Sequence, residues 1–388
     1  MEPLAALPAL ALLPAALFAS LAAWRLRRLR FPAVRAEGRV TLILPVAGRA
    51  PGLPALFRAL AAQTLAPRRL VAVVESEADP AHALVRDLAP SCPFPVELRV
   101  GGQVPWRGQK NTNLLAGFAA VDADDAVVLL DANIRPQPWW LSALATPALT
   151  GEFDVVTGFR WQLLHGLGPV GHVVAFIDRM AAVMVLPPRF GLVWGGSVGL
   201  SRRALAVLDP PALLDRALVD DLTIGEAAKR RGLRILARGA LVVPTPAEGG
   251  ARAQWAFMRR QIQVVRICQP VFWCCLMELA HLSVLGWLGA LLALPDRAAA
   301  AMLLGLSGLG AARAMLHARL GARIGARDAP GDLVAQMLVG AVPPLADGFL
   351  AVLGWTMLRP RRLRWRHVEY EVRGPQAVRV LRRFPHGG

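Results

Sequence analysis

Lysine is almost absent from this chain. Of 388 residues, 44 are Lys or Arg, yet only Lys110 and Lys229 are lysines. Cysteine is scarce too: Cys92, Cys268, Cys274 and Cys275 show no metal-ligand spacing, and three of them lie in or beside an apolar run. A disulfide framework and a cysteine zinc site are therefore not expected, and a reducing compartment is. Acids are outnumbered, with 27 Asp and Glu, which leaves a formal charge of +17. No basic–aromatic motif of the nucleic-acid-binding kind accompanies that charge, so nucleic acid is not an expected partner. The arginines suit anionic lipid headgroups and phosphates instead. No internal repeat is evident.

What is abundant is apolar sequence. Residues A, V, I, L, M, F, W, Y and C make up 55% of the chain and the mean hydropathy is +0.43. Both values point to a membrane protein. Residues 4–24, LAALPALALLPAALFASLAAW, are uncharged and long enough to span a bilayer, and RLRRLR follows at once. Charge after the apolar run differs from a cleaved signal peptide. We expect a retained helix over 1–30 whose C-terminal side faces the cytoplasm. The chain turns apolar again after residue 268, with candidate membrane segments at 270–294, 298–316 and 331–358. Three full crossings there would carry the basic tail, residues 359–388, outside, against the charge bias. Within 269–358 we therefore expect two spans plus one re-entrant or interfacial segment, the one containing Pro343 and Pro344.

Between these regions the pattern changes. Short β-like runs (VTLILPV, RLVAVVES, PVELRVGG, AVVLLDAN, FDVVTGFRW and RILARGALVVPT) alternate with stretches of helical pattern such as 52–64, 80–88 and 108–121. Alternation of this kind predicts an α/β domain with a mostly parallel sheet. Parallel strands are covered on both faces and read as continuous apolar runs. Ligands of such sheets bind beyond the carboxyl ends of the strands.

Charged residues sit at those ends. Asp131 follows VVLL directly; it suits a helix cap or a metal–diphosphate contact. Asp220 and Asp221 precede a helical run in LVDDLTIGEAAKRRG. One acid suffices as a cap, and the second is a candidate general base. Glu75, Glu77 and Asp79 cluster in VESEADP, either as a solvated turn or as a nucleotide contact. In GGQVPWRGQKNTNL, Lys110, Asn111 and Asn113 open a helix, where a lysine suits a phosphate. The paired glycines of VWGGSVGLSRRAL let a backbone come close to a ligand. Arg259, Arg260 and Arg266 in QWAFMRRQIQVVR could neutralise a leaving diphosphate or lie in the membrane interface.

In this order the motifs resemble the inverting glycosyltransferases of families 2 and 21, with the nearest likeness to bacterial ceramide glucosyltransferase-like proteins, including those linked to hopanoid lipids. VESEADPA resembles the family's V-x-D-x-x-DPA, GGQVPWRGQKNTNL its GG…PK-x-N-NL, DANI its DS-x-I, Asp220–Asp221 its ED before a helix, and WGGS at 194–197 its TG-x-S. The likeness covers residues 38–268 and the flanking membrane helices. It implies a GT-A fold, a UDP-sugar donor, Mg2+ or Mn2+, and a membrane lipid acceptor at the cytoplasmic face of the bacterial inner membrane. By the same likeness Glu75, Glu77 and Asp79 hold the donor with Lys110, Asn113, Asp131 and the three arginines. Asp131 and Asn133 hold the metal, Asp221 with Asp220 activates the acceptor, and Trp194, Gly195, Gly196 and Ser197 line its side. Two positions depart from the pattern: Ser76 stands where the family has Asp, and Gln263–Val264 where its (Q/R)-x-x-R-W motif has Arg-Trp. A processive polysaccharide synthase and a non-catalytic membrane scaffold or transporter component are the competing expectations. The first calls for more spanning helices and an intact (Q/R)-x-x-R-W, and the second leaves the strand-end acids unexplained.

Overall fold

The computed structural model describes residues 2–30, 38–123, 125–184, 192–247, 249–358 and 361–385, with side chains from residue 9 onward. The chain divides into two compact units. One comprises Met1–Leu29, Trp161–Met184 and Pro246–Pro360; the other comprises Arg30–Arg160, Val185–Thr245 and Arg361–Gly388. The sequence reading put 161–184 and 246–268 inside the α/β domain, whereas here they cluster with the apolar helices.

The second unit is built on a seven-stranded sheet: β1 (Val40–Pro45), β2 (Arg69–Val74), β3 (Val96–Val100), β4 (Ala126–Leu130), β5 (Val155–Leu163), β6 (Ser197–Leu200) and β7 (Ile235–Pro246), in the order β3-β2-β1-β4-β6-β5-β7. Strands β1 to β4 are mutually parallel. β6 runs antiparallel to both neighbours, so the sheet is mixed but mostly parallel. All six expected runs are strands. β4 is buried at every position, as a strand covered on both faces must be. Helices Leu53–Ala61, Pro80–Leu88 and Gln109–Phe118 fill the expected helical stretches.

The sequence reading did not include β6; it took from this stretch only the close backbone approach of the paired glycines that precede it. Its register pairs Leu130 with Ser197, which sets Asp131, just past the end of β4, against Gly196. The Asp131 amide donates to the Gly196 carbonyl at 3.3 Å. The basic tail also carries strands that were not foreseen: β8 (Arg362–Trp365), β9 (Val368–Gly374) and β10 (Ala377–Arg383) form a separate antiparallel sheet. One of its faces buries Leu363, Val368, Tyr370 and Val372.

In the first unit, Ala9–Arg28, Pro270–Leu292 and Arg297–Arg323 are long and apolar enough to cross a membrane. Helices Pro330–Ala341 and Pro343–Thr356 meet at a 71° bend, which suits a broken span or a re-entrant loop. The break falls at Pro343–Pro344, where proline removes amide donors from a continuing helix.

Candidate active site

Lys110 joins the strand-end acids. It lies in the first turn of helix Gln109–Phe118, and its Nζ stands 3.0 Å from Asp131 Oδ1, 3.0 Å from Asp220 Oδ2 and 3.2 Å from the Gly195 carbonyl. The lysine is thus placed against a carboxylate after β4, a carboxylate before helix Asp221–Arg230 and the glycine turn before β6. Burial works against its charge, but Asp131, Asp220 and Asp221 outweigh that and hold its pKa above the ordinary lysine value. Asp220 is buried, its side chain 2% exposed, whereas the Asp131 side chain is 34% exposed. The cluster therefore has a closed floor and an open side.

Asp221 adjoins the same turn. Its Oδ2 accepts from the Gly195 amide at 3.2 Å and its Oδ1 from the Leu222 amide at 2.7 Å. Desolvation and then the neighbouring Asp220 charge raise its pKa to about 6, against the pull of Lys110 and the two amides. A carboxyl tuned towards neutrality is suited to accept a proton at working pH. The Asp220 charge is the second cause of that shift.

Close backbone approach makes the arrangement possible. A Cβ on Gly195 would meet Asp220 Oδ2 at 2.4 Å and Lys110 Nζ at 2.8 Å. One on Gly108 would meet the Leu218 carbonyl at 2.2 Å. The Gly108 amide and the Asn111 side chain both donate to the Ala217 carbonyl, at 3.0 and 2.8 Å. The lysine helix and the segment entering Asp220 are thereby locked together.

Several expected ligand residues are turned inward. Asn113 is buried; its amide donates to the Val73 carbonyl at 3.2 Å and its oxygen accepts from Gln109 at 2.9 Å, so it ties the lysine helix to β2. Asp79 is buried and caps helix Pro80–Leu88 through the Ala81 amide, while also accepting from the Gly48 amide. Glu75 is 2% exposed, ion-paired to Arg383 and hydrogen-bonded with the His367 imidazole. Of that acidic motif only Glu77 is exposed. Ser197 is buried and accepts from the Trp140 indole at 2.8 Å. Trp194 is buried in the core, and the Gly196 backbone lies so near that a Cβ there would reach its ring at 2.2 Å. Asn133 follows Asp131 in the same turn and is partly exposed. Arg259, Arg260 and Arg266 lie on helix Ala251–Cys268 of the other unit, where Arg266 donates to the Leu358 carbonyl at 2.9 Å.

The family model described as glycosyl transferase family 21 matches residues 7–378. No curated protein matches the chain. Among solved structures, it is similar to a mannosyltransferase from Pyrobaculum calidifontis in complex with GDP-Man and Mn2+, at 17% identity and TM-score 0.47, over 92% of this chain and 99% of that one. It is also similar to glucosyl-3-phosphoglycerate synthase from Mycobacterium tuberculosis in complex with Mn2+, UDP-Glc and phosphoglyceric acid, at 20% identity and TM-score 0.41, over 62% of this chain and 85% of that one.

Proposed function

The chain belongs to glycosyl transferase family 21, and from that premise we propose that it transfers a sugar, with inversion, from a UDP-sugar to a membrane lipid at the cytoplasmic face of the bacterial inner membrane. The reading includes a GT-A fold for the α/β unit and a ceramide glucosyltransferase-like acceptor chemistry. The observation that carries it is the joining of Asp131 and Asp220 by Lys110, with Asp221 beside them and tuned to about 6.

Asp221 takes the proton of the acceptor hydroxyl as its oxygen bonds to the anomeric carbon. The bond from that carbon to the diphosphate breaks on the opposite face, and its electron pair leaves with UDP. Lys110, paired to Asp220, holds the Gly195 carbonyl, and the amide of the same residue orients the base. Exposed Glu77 is the acid of the first motif left to meet the donor.

A divalent cation fits at Asp131. Among the described residues no group of three His, Cys, Asp or Glu side chains forms a ready-made cage. One partly exposed carboxylate at a strand end, with Oδ1 paired to Lys110, instead suits Mg2+ or Mn2+ carried in with a diphosphate, with Asn133 close in the turn. When bound, such an ion would neutralise charge on the leaving diphosphate. The apolar helices, the basic run after the first of them and the net charge of +17 support a lipid acceptor and an anionic bilayer surface.

Mass spectrometry of lipids from cells with and without this protein tests the reading. A hexose-sized mass shift on a lipid species, present only with the protein, is expected; identical lipidomes contradict it. A chelator should abolish turnover in isolated membranes and excess Mg2+ or Mn2+ should restore it.

A further inference from the structure

We propose that the C-terminal sheet, β8 to β10, is a positioning clamp for the transfer site. The inference rests on the function proposed above and assigns part of it to residues outside the family-like motifs.

The sheet reaches the segments that present the site. His367 Nε2 lies 2.6 Å from Glu75 Oε2 and Arg383 lies 2.7 Å from Oε1, at the carboxyl end of β2. Tyr370, the only tyrosine in the chain, accepts from the Gln109 amide at 3.0 Å, one residue before Lys110. The Pro375 carbonyl accepts from the Leu218 amide at 3.0 Å, two residues before Asp220. Arg366 donates to the Ala47 carbonyl at 2.7 Å, just after β1, and the Val380 amide to the Pro105 carbonyl at 2.7 Å, beyond β3. Ligands of a mostly parallel sheet bind at these carboxyl ends.

Each tether answers a physical need. The first amides of a helix have no acceptor within it. Gly108 caps helix Gln109–Phe118 with no side-chain bond, and the Tyr370 hydroxyl supplies the acceptor for Gln109. A buried carboxylate such as Glu75 is costly unless paired, and the β8–β9 turn and β10 bring the imidazole and the cation to it. The small sheet in turn gains a second layer against which to bury its apolar face, as a sheet that is apolar on one face requires. Without the clamp, the lysine helix would keep its contact at Ala217 and its tie to β2 through Asn113, but the Gln109 amide, the Glu75 carboxylate and the Leu218 amide would each lose the partner the sheet supplies.

Tyr370→Phe and His367→Ala in the full-length protein test the proposal, with His367→Gln as the conservative partner. Tyr370→Phe keeps the ring and removes only the acceptor. Hydrogen exchange of the detergent-solubilised protein should quicken at residues 105–112 in Tyr370→Phe and at 72–80 in His367→Ala, with Pro270–Leu292 unchanged. In membranes, kcat should fall about three- to tenfold in Tyr370→Phe, the order one hydrogen bond supports, while donor KM stays within about twofold. His367→Ala should raise donor KM, and His367→Gln should recover most of that loss. Unchanged exchange at those segments overturns the clamp, as does a loss of activity that only tracks the loss of folded protein on size exclusion. Absence of any transfer by the wild-type protein would reject the function proposed above, and the exchange data would still decide whether the sheet holds these segments.

Discussion

Lys110 stands between two carboxylates, one buried and one open, and that asymmetry assigns their work. Removing the lysine leaves Asp220 charged in a place water does not reach, which costs about 3–5 kcal/mol when a buried pair is broken. Lys110→Met should therefore melt early, and adding Asp220→Asn should return much of the lost stability, because the stranded charge is gone. Thermal unfolding of both variants in detergent checks this; a double variant no more stable than the single would contradict it. Asp221 carries a different expectation. Its pKa is raised to about 6, so the carboxylate form exists above that value and is lost as pH falls through it. The pH profile of kcat/KM should show an acidic limb near 6, and a flat profile down to pH 4 would remove Asp221 from the role of base. At this scale the sequence was legible where a charge follows an apolar strand, as at Asp131, or precedes a helix, as at Asp221. It was not legible for Asn113, Asp79, Glu75 and Ser197. Each is a polar residue in a family-like motif, but each is buried and spends its bonds on backbone or on a neighbouring element. A one-dimensional pattern does not tell which way a side chain at a strand end turns.

The elements show the same division. Strands buried on both faces announce themselves by unbroken apolar runs, as β1, β2 and β4 do, whereas β3, with Glu97 and Arg99, is only partly buried. β6 has four residues, follows two glycines and carries Ser197 and Gly199, so neither hydrophobicity nor β propensity marked it. The C-terminal sheet did leave a signal: Leu363, Trp365, Tyr370 and Val372 alternate with charged residues before the turn at Gly374–Pro375. The density of arginine concealed that alternation of two. Among the apolar helices, Arg297–Arg323 and Pro330–Ala341 cross in backbone contact, since a Cβ on Gly310 would meet the Gly340 carbonyl at 1.8 Å. Small residues permit such close helix packing in a bilayer. Gly310→Leu should force the pair apart and destabilise the helical unit by about 1–3 kcal/mol, the usual cost of overpacking. A melting temperature in detergent equal to that of the wild type would show that this crossing contributes little.

For the whole molecule, composition indicated a membrane protein, the alternation of runs an α/β domain and the motif resemblance a glycosyltransferase, which family membership establishes. The antiparallel placement of β6 brings the Gly195 turn to Asp131, and the lysine helix and the segment carrying Asp220 and Asp221 close on the same turn. Residues distant in sequence thereby meet at the carboxyl ends of parallel strands. The most direct test of that convergence as a catalytic site is the incorporation of label from radiolabelled UDP-sugars into the lipid extract of membranes carrying the wild-type protein or Asp221→Asn. Label in a discrete lipid with the wild type, and a loss of about a hundredfold or more in the equally abundant, folded variant, is the predicted result; equal incorporation by the two proteins would contradict it.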